Sequence, residues 1–208
     1  FSSIDRGGRY AYGNQLTIAQ WNLAQLANCL VPLVEPDINS SVEKLQECMS
    51  QLMRIYDEEW LSAMAAKFGI FEPRKEDTGI VRSFLSHLEE EKLDFTIEFR
   101  RLIDDHGINS KDESQGSDDF RRMWRQRLGE QPQSLEQVRE RMRRSNPVYI
   151  PRNHQVERAI RAGMAGDYSV FESMNECLKA PYEKHEGFSE FERPPEPEEV
   201  VSATFCGT

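Results

Sequence analysis

Apolar residues recur at intervals of three and four along most of this chain, the spacing that places them on one side of an α-helix. The clearest run begins at Val42 and ends at Phe68. Similar runs follow as far as Leu178, whereas alternation typical of strands is nearly absent. The pattern therefore predicts a mainly α fold, and the absence of a regular repeat argues against a solenoid.

Helix boundaries are predicted from capping and breaking residues. Ser40 and Ser134 are each followed three residues later by an acid or amide, the spacing of a capping box. Gly69 is a candidate C-terminal cap, and Asn146 before Pro147 should stop a helix because proline pushes the preceding residue out of helical geometry. The predicted helices run from Thr17 to Pro32, from Ser40 to Gly69, from after the break at Pro73–Asp77 through Leu88, from Phe95 to His106, from Phe120 to Gly129, from Ser134 to Asn146, from Pro151 to Gly166, and from Asp167 or Ser169 to Leu178.

Composition divides the chain into a helical part and two less regular ends. Residues 1–15 are rich in Gly, Ser and Asn and are predicted to be a loop that enters the helical part. Residues 1–180 are expected to form one helical lobe. Residues 181–208, which carry Pro194, Pro195 and Pro197 among many glutamates, are expected to form an extended tail.

Charge and hydropathy exclude several partners. The 208 residues include 26 Lys and Arg against 36 Asp and Glu, so the net charge is −10, which argues against nucleic acid and anionic membranes as partners. No apolar run is long enough for a membrane span. Between Arg121 and Arg161, however, there are 11 arginines and only four acids. We favour helix faces whose arginines pair with acidic neighbours, and the alternative is a surface for anions or a partner protein.

The four cysteines do not have the spacing of a zinc site or a disulfide scaffold. Cys29, Cys48 and Cys177 lie in apolar helical stretches and are predicted to be buried free thiols. Cys206 is the third residue from the C-terminal end, where an accessible thiol could take part in redox chemistry.

No catalytic motif can be recognised from residue spacing. The chain lacks a glycine-rich phosphate loop, a serine nucleophile elbow and an HExxH helix. The histidines at positions 87, 106, 154 and 185 are dispersed and are expected to be surface or capping residues. The residues alone therefore indicate no catalytic, cofactor-binding or metal-binding site in this segment.

Nine short segments, in order along the whole chain, resemble the selenoprotein O family of protein adenylyltransferases. They are Asp5-x-x-Gly8-Arg9-Tyr10-Ala11-Tyr12-x-Asn14-Gln15, Trp21-Asn22-Leu23, Lys75-Glu76-Asp77, Asp94-Phe95-Thr96 with Phe99-Arg100, Asn146-Pro147-x-Tyr149-Ile150-Pro151-Arg152-Asn153, Gly166-Asp167, Ala180-Pro181-Tyr182, Pro194-Pro195, and the C-terminus with Cys206. Each segment alone is weakly specific, but nine in register make a specific signature.

The resemblance implies a protein-kinase-like fold that binds ATP in an inverted orientation with Mg. AMP would be transferred to Ser, Thr or Tyr hydroxyls of protein substrates, by metal-assisted chemistry at the α-phosphate. In the family, the residues that hold ATP and Mg precede the Gly-Arg-Tyr segment. Because this chain opens at Phe1 rather than Met, we expect its beginning to lie upstream. It would then be the C-terminal helical lobe, inactive alone, with the N-terminal kinase-like part as its partner.

The resemblance also gives roles to two groups of residues. Gly8, Arg9 and Tyr10 either anchor a loop to the helices behind it, which we favour, or form a substrate-facing, activation-type loop. Cys206 occupies the antepenultimate position, where the family has Cys or Sec, which implies a redox contact between the tail and the catalytic core.

One alternative from another functional class stays open. The chain could be a non-catalytic helical interaction module with the arginine-rich stretch as its partner surface. As an enzyme, it would be cytoplasmic in a bacterium and mitochondrial in a eukaryote, by family resemblance.

Overall fold

The computed structural model describes residues 5, 7–9, 11–104 and 119–202, except for the side chains of residues 12 and 104. Within these residues the regular structure is entirely helical, which confirms the predicted mainly α class. The described part of the chain contains eight α-helices, which are α1 (Gln15–Val34), α2 (Ile38–Lys67), α3 (Thr78–Glu90), α4 (Phe95–Asp104), α5 (Asp119–Gly129), α6 (Leu135–Ser145), α7 (Asn153–Met164) and α8 (Ser169–Cys177). Short 3₁₀ helices cover Tyr12–Asn14, Lys75–Asp77, Ser189–Phe191 and Pro197–Glu199.

The chain divides into two compact units. The first comprises residues 1–59 with 201–208, and the second comprises residues 60–200. The first unit contains α1 and most of α2, and the second contains the remaining helices and most of the C-terminal segment.

The start of α2 differs from the prediction. Asp37 rather than Ser40 caps this helix, because the Asp37 carboxylate accepts the Ser40 amide at 2.8 Å. Asp is one of the strongest N-caps, and its position three residues earlier lets the helix begin at Ile38. The predicted capping box at Ser40 is therefore wrong. Likewise, α1 continues through Pro32 to Val34 rather than ending before the proline.

The other predicted caps are confirmed. The Ser134 hydroxyl accepts the Gln137 amide at 3.3 Å, and the Gln137 side chain accepts the Ser134 amide at 2.8 Å, as a capping box requires. Gly69 follows the end of α2 with φ of +73°, a conformation that glycine adopts without strain. The Ile70 amide then donates to the Ala65 carbonyl at 2.9 Å, which satisfies one of the last carbonyls of the helix.

Aromatic side chains form the main core of the second unit. Phe68, at the end of α2, contacts Phe84 and Phe99 edge-on, with ring centroids 5.3 and 5.1 Å apart. Trp124 is fully buried, and its indole N–H donates to the Phe68 carbonyl at 2.8 Å. A second, smaller cluster contains Val148, Tyr149, Cys177 and Phe191.

The C-terminal segment is less extended than predicted. It contains two short 3₁₀ helices, and Phe191 is only 2% exposed because it packs into the second cluster. Residues 203–208, including Cys206, lie outside the described residues.

The predicted burial of the cysteines is wrong for two of three. Cys177 is buried, but Cys29 and Cys48 are exposed. Hydrophobic periodicity identifies the apolar side of a helix, but it does not reveal whether another element covers that side. In the part of the chain that the structure describes, no helix is long and apolar enough to cross a membrane.

Candidate functional site

The Gly8–Arg9 segment is held by contacts among the residues that carry the family resemblance. The Asp5 carboxylate accepts the Arg9 amide at 2.8 Å. The Gly8 carbonyl, in a turn with φ of +64°, accepts the Asn14 side-chain amide at 2.8 Å. The Arg9 guanidinium lies 4.6 Å from the centroid of the Trp21 ring, within the range of a cation–π contact. Whether the segment only anchors a loop or also faces a substrate stays a prediction, and Tyr10 lies outside the described residues.

A partly buried ion pair joins the Asp94 segment to the Arg152 segment. The Arg152 guanidinium donates to the two Asp94 oxygens at 2.6 and 3.3 Å. Asp94 also caps α4, since its carboxylate accepts the Ile97 amide at 2.9 Å. Burial alone would raise the pKa of Asp94, but the hydrogen bonds from Arg152 and the Ile97 amide hold that pKa below its usual range. Asp94 is therefore a charged structural anchor.

Asn146 joins the end of α2 to the end of α6. Its side-chain amide donates to the carbonyls of Lys67 and Met142, both at 2.9 Å. The Lys67 ammonium in turn donates to the Ser145 carbonyl at 3.0 Å and lies 5.3 Å from the Phe99 ring. Burial lowers the pKa of Lys67. The motif asparagine thus fastens two helix ends.

Tyr149 holds the start of the C-terminal segment. Its hydroxyl accepts the His185 amide at 2.9 Å and donates to the His185 carbonyl at 3.3 Å. The Pro181 carbonyl accepts the amides of Val148 and Tyr149 at 2.7 and 3.1 Å. Two of the motif segments, 146–153 and 180–182, are therefore paired through their backbones.

Helix α7 holds the next part of the segment. The Gln155 side chain donates to the Glu190 carbonyl at 2.9 Å, and Arg158 donates to the Glu190 carboxylate at 2.5 Å.

Further on, Arg193 binds Glu199 through two nitrogens, and this pairing lowers the pKa of Glu199 to about 2. The carboxylate is therefore ionised throughout the neutral range.

Among the histidines that the structure describes, one is buried rather than at the surface. His154, at the start of α7, is only 7% exposed, and burial lowers its pKa. Its Nδ1 atom has no hydrogen-bond partner among the described residues. His87 stacks on Phe120, and His185 stacks on Tyr149. His106 lies outside the described residues.

Most arginines of the basic stretch pair with acids inside the chain, as the favoured interpretation predicts. The buried pair is Arg127 with Asp77, 2.8 Å apart, and Arg127 also donates to the Glu72 carbonyl. The other pairs are Arg122 with Asp119, Arg143 with Glu136 and Glu140, Arg144 with Glu140, Arg152 with Asp94, Arg158 with Glu190, and Arg161 with Glu157. These contacts leave less positive charge for an anion than the sequence suggests.

One groove of about 640 Å³ lies beside α6. Phe71, Glu136, Glu140, Arg141 and Arg144 are among the residues that line it. The Arg141 guanidinium covers the Phe71 ring at 4.8 Å and donates to the Ile70 carbonyl at 3.1 Å. The charged side chains that line the groove are already paired with other groups. None of them lies in an environment that would favour a role as general acid or base.

Among the residues that the structure describes, no three His, Cys, Asp or Glu side chains are grouped so that they could hold a metal ion. We therefore assign no residue of this chain to ATP or Mg and derive no reaction step through them.

The family resemblance pointed to several residues that hold the chain together, but the sequence did not show which residues pair with one another. Arg127 lies 50 residues from Asp77, and Arg152 lies 58 residues from Asp94, so no local pattern links them. The only available signal was that Asp77, Asp94 and Arg152 all fall in segments that resemble the family.

Comparison with known proteins shows what the chain is similar to. The profile of a family described as protein adenylyltransferase SelO matches residues 2–179. A protein nucleotidyltransferase YdiU from Ruegeria sp. (strain TM1040) is 42% identical over 210 residues, and one from Rhizobium johnstonii is 40% identical over 218 residues. Each alignment covers 100% of this chain and 43% of the relative, so the chain spans less than half of their length. Because the family profile covers most of the chain, this protein belongs to the SelO family of protein adenylyltransferases.

Proposed function

We propose that this chain is the C-terminal segment of a protein adenylyltransferase that transfers AMP from ATP to Ser, Thr or Tyr hydroxyls of proteins. In this proposal, residues 1–180 belong to the C-terminal lobe of a protein-kinase-like fold and residues 181–208 to its tail. ATP and Mg bind outside the chain, in an N-terminal kinase-like part. The family match carries the proposal.

The contacts of the described residues give the chain a scaffolding role within that enzyme. Each of the segments around Arg9, Asp94, Asn146 and Tyr149 holds another part of the chain through hydrogen bonds, an ion pair or a cation–π contact. Side chains committed to such contacts are poorly placed to handle a reacting phosphate. The scaffold would instead support the residues that do.

Labelled-AMP incorporation tests the proposal. In a fusion protein, this chain replaces the segment of the Ruegeria relative that it matches. With ATP labelled at the α-phosphate and Mg, we expect the fusion protein and the intact relative to label protein, and the 208-residue chain alone to label none. A folded fusion protein that transfers no AMP while the intact relative does, or labelling by the chain alone, would contradict the proposal.

Cys206 stays a separate proposal. A thiol at the antepenultimate position could form a redox contact with the catalytic core and tune its activity. We expect mass spectrometry of the oxidised fusion protein to find a crosslink or adduct at Cys206, and an unmodified Cys206 would refute the idea. As the relatives are bacterial, we also propose a cytoplasmic location.

The alternative is a non-catalytic interaction module that uses the arginine-rich stretch. The internal ion pairs of that stretch argue against this alternative, because the paired arginines offer less positive charge to a partner. AMP transfer by the fusion protein, together with loss of transfer when the chain is removed, would exclude this alternative.

A further inference from the structure

Helix α1 carries a regular row of exposed leucines. Leu23, Leu26, Leu30 and Leu33 are 39%, 53%, 37% and 77% exposed. Their spacing of three, four and three residues is that of the a and d positions of a heptad, which places them along one side of a helix. Ala19 extends this row by one position towards the N-terminus. We call the row of these five residues the α1 seam.

The other residues of α1 bury little of the surface of this helix. Of its twenty residues, all described, only Ile18 is buried. The pairs of α-helices with extensive contacts are α7 with α8, α3 with α5 and α4 with α6, whereas α1 contacts mainly the short helix Tyr12–Asn14. An apolar row of this length normally drives packing against another element, and four exposed leucines leave that stabilisation unused.

The residues beside the seam indicate what kind of element covers it. Helix α1 contains no charged residue. The flanking e and g positions are occupied by Gln20, Asn22, Ala27, Cys29 and Val34. Two-stranded coiled coils use charged residues at these positions to set partner and register, and their absence disfavours a second copy of this chain as the partner. Uncharged flanks are instead typical of a helix buried inside a larger domain.

The length of the relatives supplies such a domain. This chain matches only 43% of the length of the Ruegeria relative, so more than half of that polypeptide is available to cover the seam. We propose that the α1 seam is the docking surface for an apolar face of the remaining, catalytic part of the adenylyltransferase polypeptide. The inference rests on the proposed function, because it takes the unmatched part of the relatives as the partner.

Thiol labelling measures whether the seam is covered. Ala19→Cys places a reporter in the seam, and Gln25→Cys places a matched reporter on another side of the same helix, where the residue is also exposed. Cys29, Cys48 and Cys206 are replaced by Ser in both variants. The readout is the maleimide labelling rate at position 19 divided by that at position 25, in the chain alone and in the fusion protein.

We expect this ratio to fall by about tenfold or more in the fusion protein, since a covered thiol reacts only when the docked parts open. An unchanged ratio in a fusion protein that transfers AMP would overturn the inference while leaving the proposed function intact. A reduced ratio in a fusion protein that transfers none would leave the inference intact and remove the proposed chemistry.

Light scattering of the 208-residue chain provides a test that does not depend on the fusion protein. With its seam exposed and its flanks uncharged, the chain should be monomeric at micromolar concentration, and Leu26→Asp should leave its unfolding midpoint unchanged. A dimer that Leu26→Asp converts to monomer would identify a second copy as the occupant and overturn the inference.

Discussion

At the residue scale, several side chains in the segments that resemble the family make contacts that hold this chain together. Asp77, Asp94 and Arg152 form ion pairs, and Asn146 caps one helix and fastens another. A buried charge is strongly destabilising when it loses its partner, so replacing Asp77, Asp94 or Arg152 should destabilise the fold.

Removing Arg127 should destabilise the chain strongly. The Arg127→Met variant leaves Asp77, which is 2% exposed, without its charged partner, at an expected cost of about 3–5 kcal/mol in the free energy of unfolding. Arg74→Met is the matched control, because the Arg74–Glu130 pair is exposed and should contribute less than about 1 kcal/mol. Urea unfolding followed by circular dichroism measures both, and equal losses would contradict the assignment of the buried pair.

His154 should make stability depend on pH. Burial lowers its pKa below the ordinary value of 6.5, so the unfolded chain takes up a proton more readily than the folded one. The free energy of unfolding should therefore fall as the pH drops below about 6.5 and level off below the pKa of the folded state. The charged groups around His154 are Glu199, Arg193, Arg152 and Arg158.

Urea unfolding at about pH 7.5 and about pH 5.5 measures this dependence. His154→Gln should reduce the difference between the two values, whereas His87→Gln should retain it. A His154→Gln variant with the full pH dependence would show that other groups cause it.

At the element scale, local chemistry determines where several helices end. Gly69 and Gly166 both have a positive φ just beyond a helix, at +73° and +85°. Their surroundings differ, because a Cβ at Gly69 would lie 2.5 Å from Val138 Cγ1 on α6, whereas a Cβ at Gly166 would meet nothing within 4 Å.

Alanine substitutions at these two glycines should separate backbone strain from crowding. Gly166→Ala should cost about 1 kcal/mol, the usual strain of a left-handed residue with a side chain. Gly69→Ala should cost roughly 1 to 3 kcal/mol more, since α2 and α6 must also move apart. Urea unfolding of both variants tests this, and similar losses would mean that the packing at Gly69 is looser than described.

Phe191 should hold the C-terminal segment against the rest of the second unit. Phe191→Ala removes a ring that is 2% exposed, whereas the matched control Phe171→Ala removes one that is 50% exposed. We expect trypsin to cleave after Lys184 about tenfold faster or more in Phe191→Ala, because the segment opens locally more often. Equal cleavage rates in the two variants would refute this role.

Local patterns predicted these elements better than they predicted burial. Ser134 and Gly69 could be identified because capping depends on residues within one turn. The capping box predicted at Ser40 is wrong because Asp37, three residues earlier, caps the helix instead. The exposure of Cys29 and the burial of His154 depend on which elements lie nearby, and the spacing of apolar residues along one helix does not carry that information.

The residues of the candidate site could be identified from the sequence, but their contacts could not. Family resemblance identified Gly8, Asp94, Asn146 and Arg152 from the sequence. Their roles as anchors required the structure, since the partners of Asp94 and Asn146 lie 58 and 79 residues away.

At the scale of the whole molecule, we propose that this chain supplies packing and a docking surface and that the chemistry resides in the rest of the polypeptide. The second unit has an aromatic core and several ion pairs, whereas α1 in the first unit leaves a row of leucines exposed. This distribution is what a scaffold requires, with one part that is internally stable and another part that is completed by a partner.

The most direct test of this account is the rate of AMP transfer per folded molecule in the fusion protein carrying Asp94→Asn. Transfer is measured at a temperature well below the unfolding midpoint, with the folded fraction determined by circular dichroism. If Asp94 is an anchor, the midpoint should fall while the rate per folded molecule stays within about threefold of the unsubstituted value. A loss of about a hundredfold or more with an unchanged midpoint would contradict the account, since it would place Asp94 in the chemistry itself.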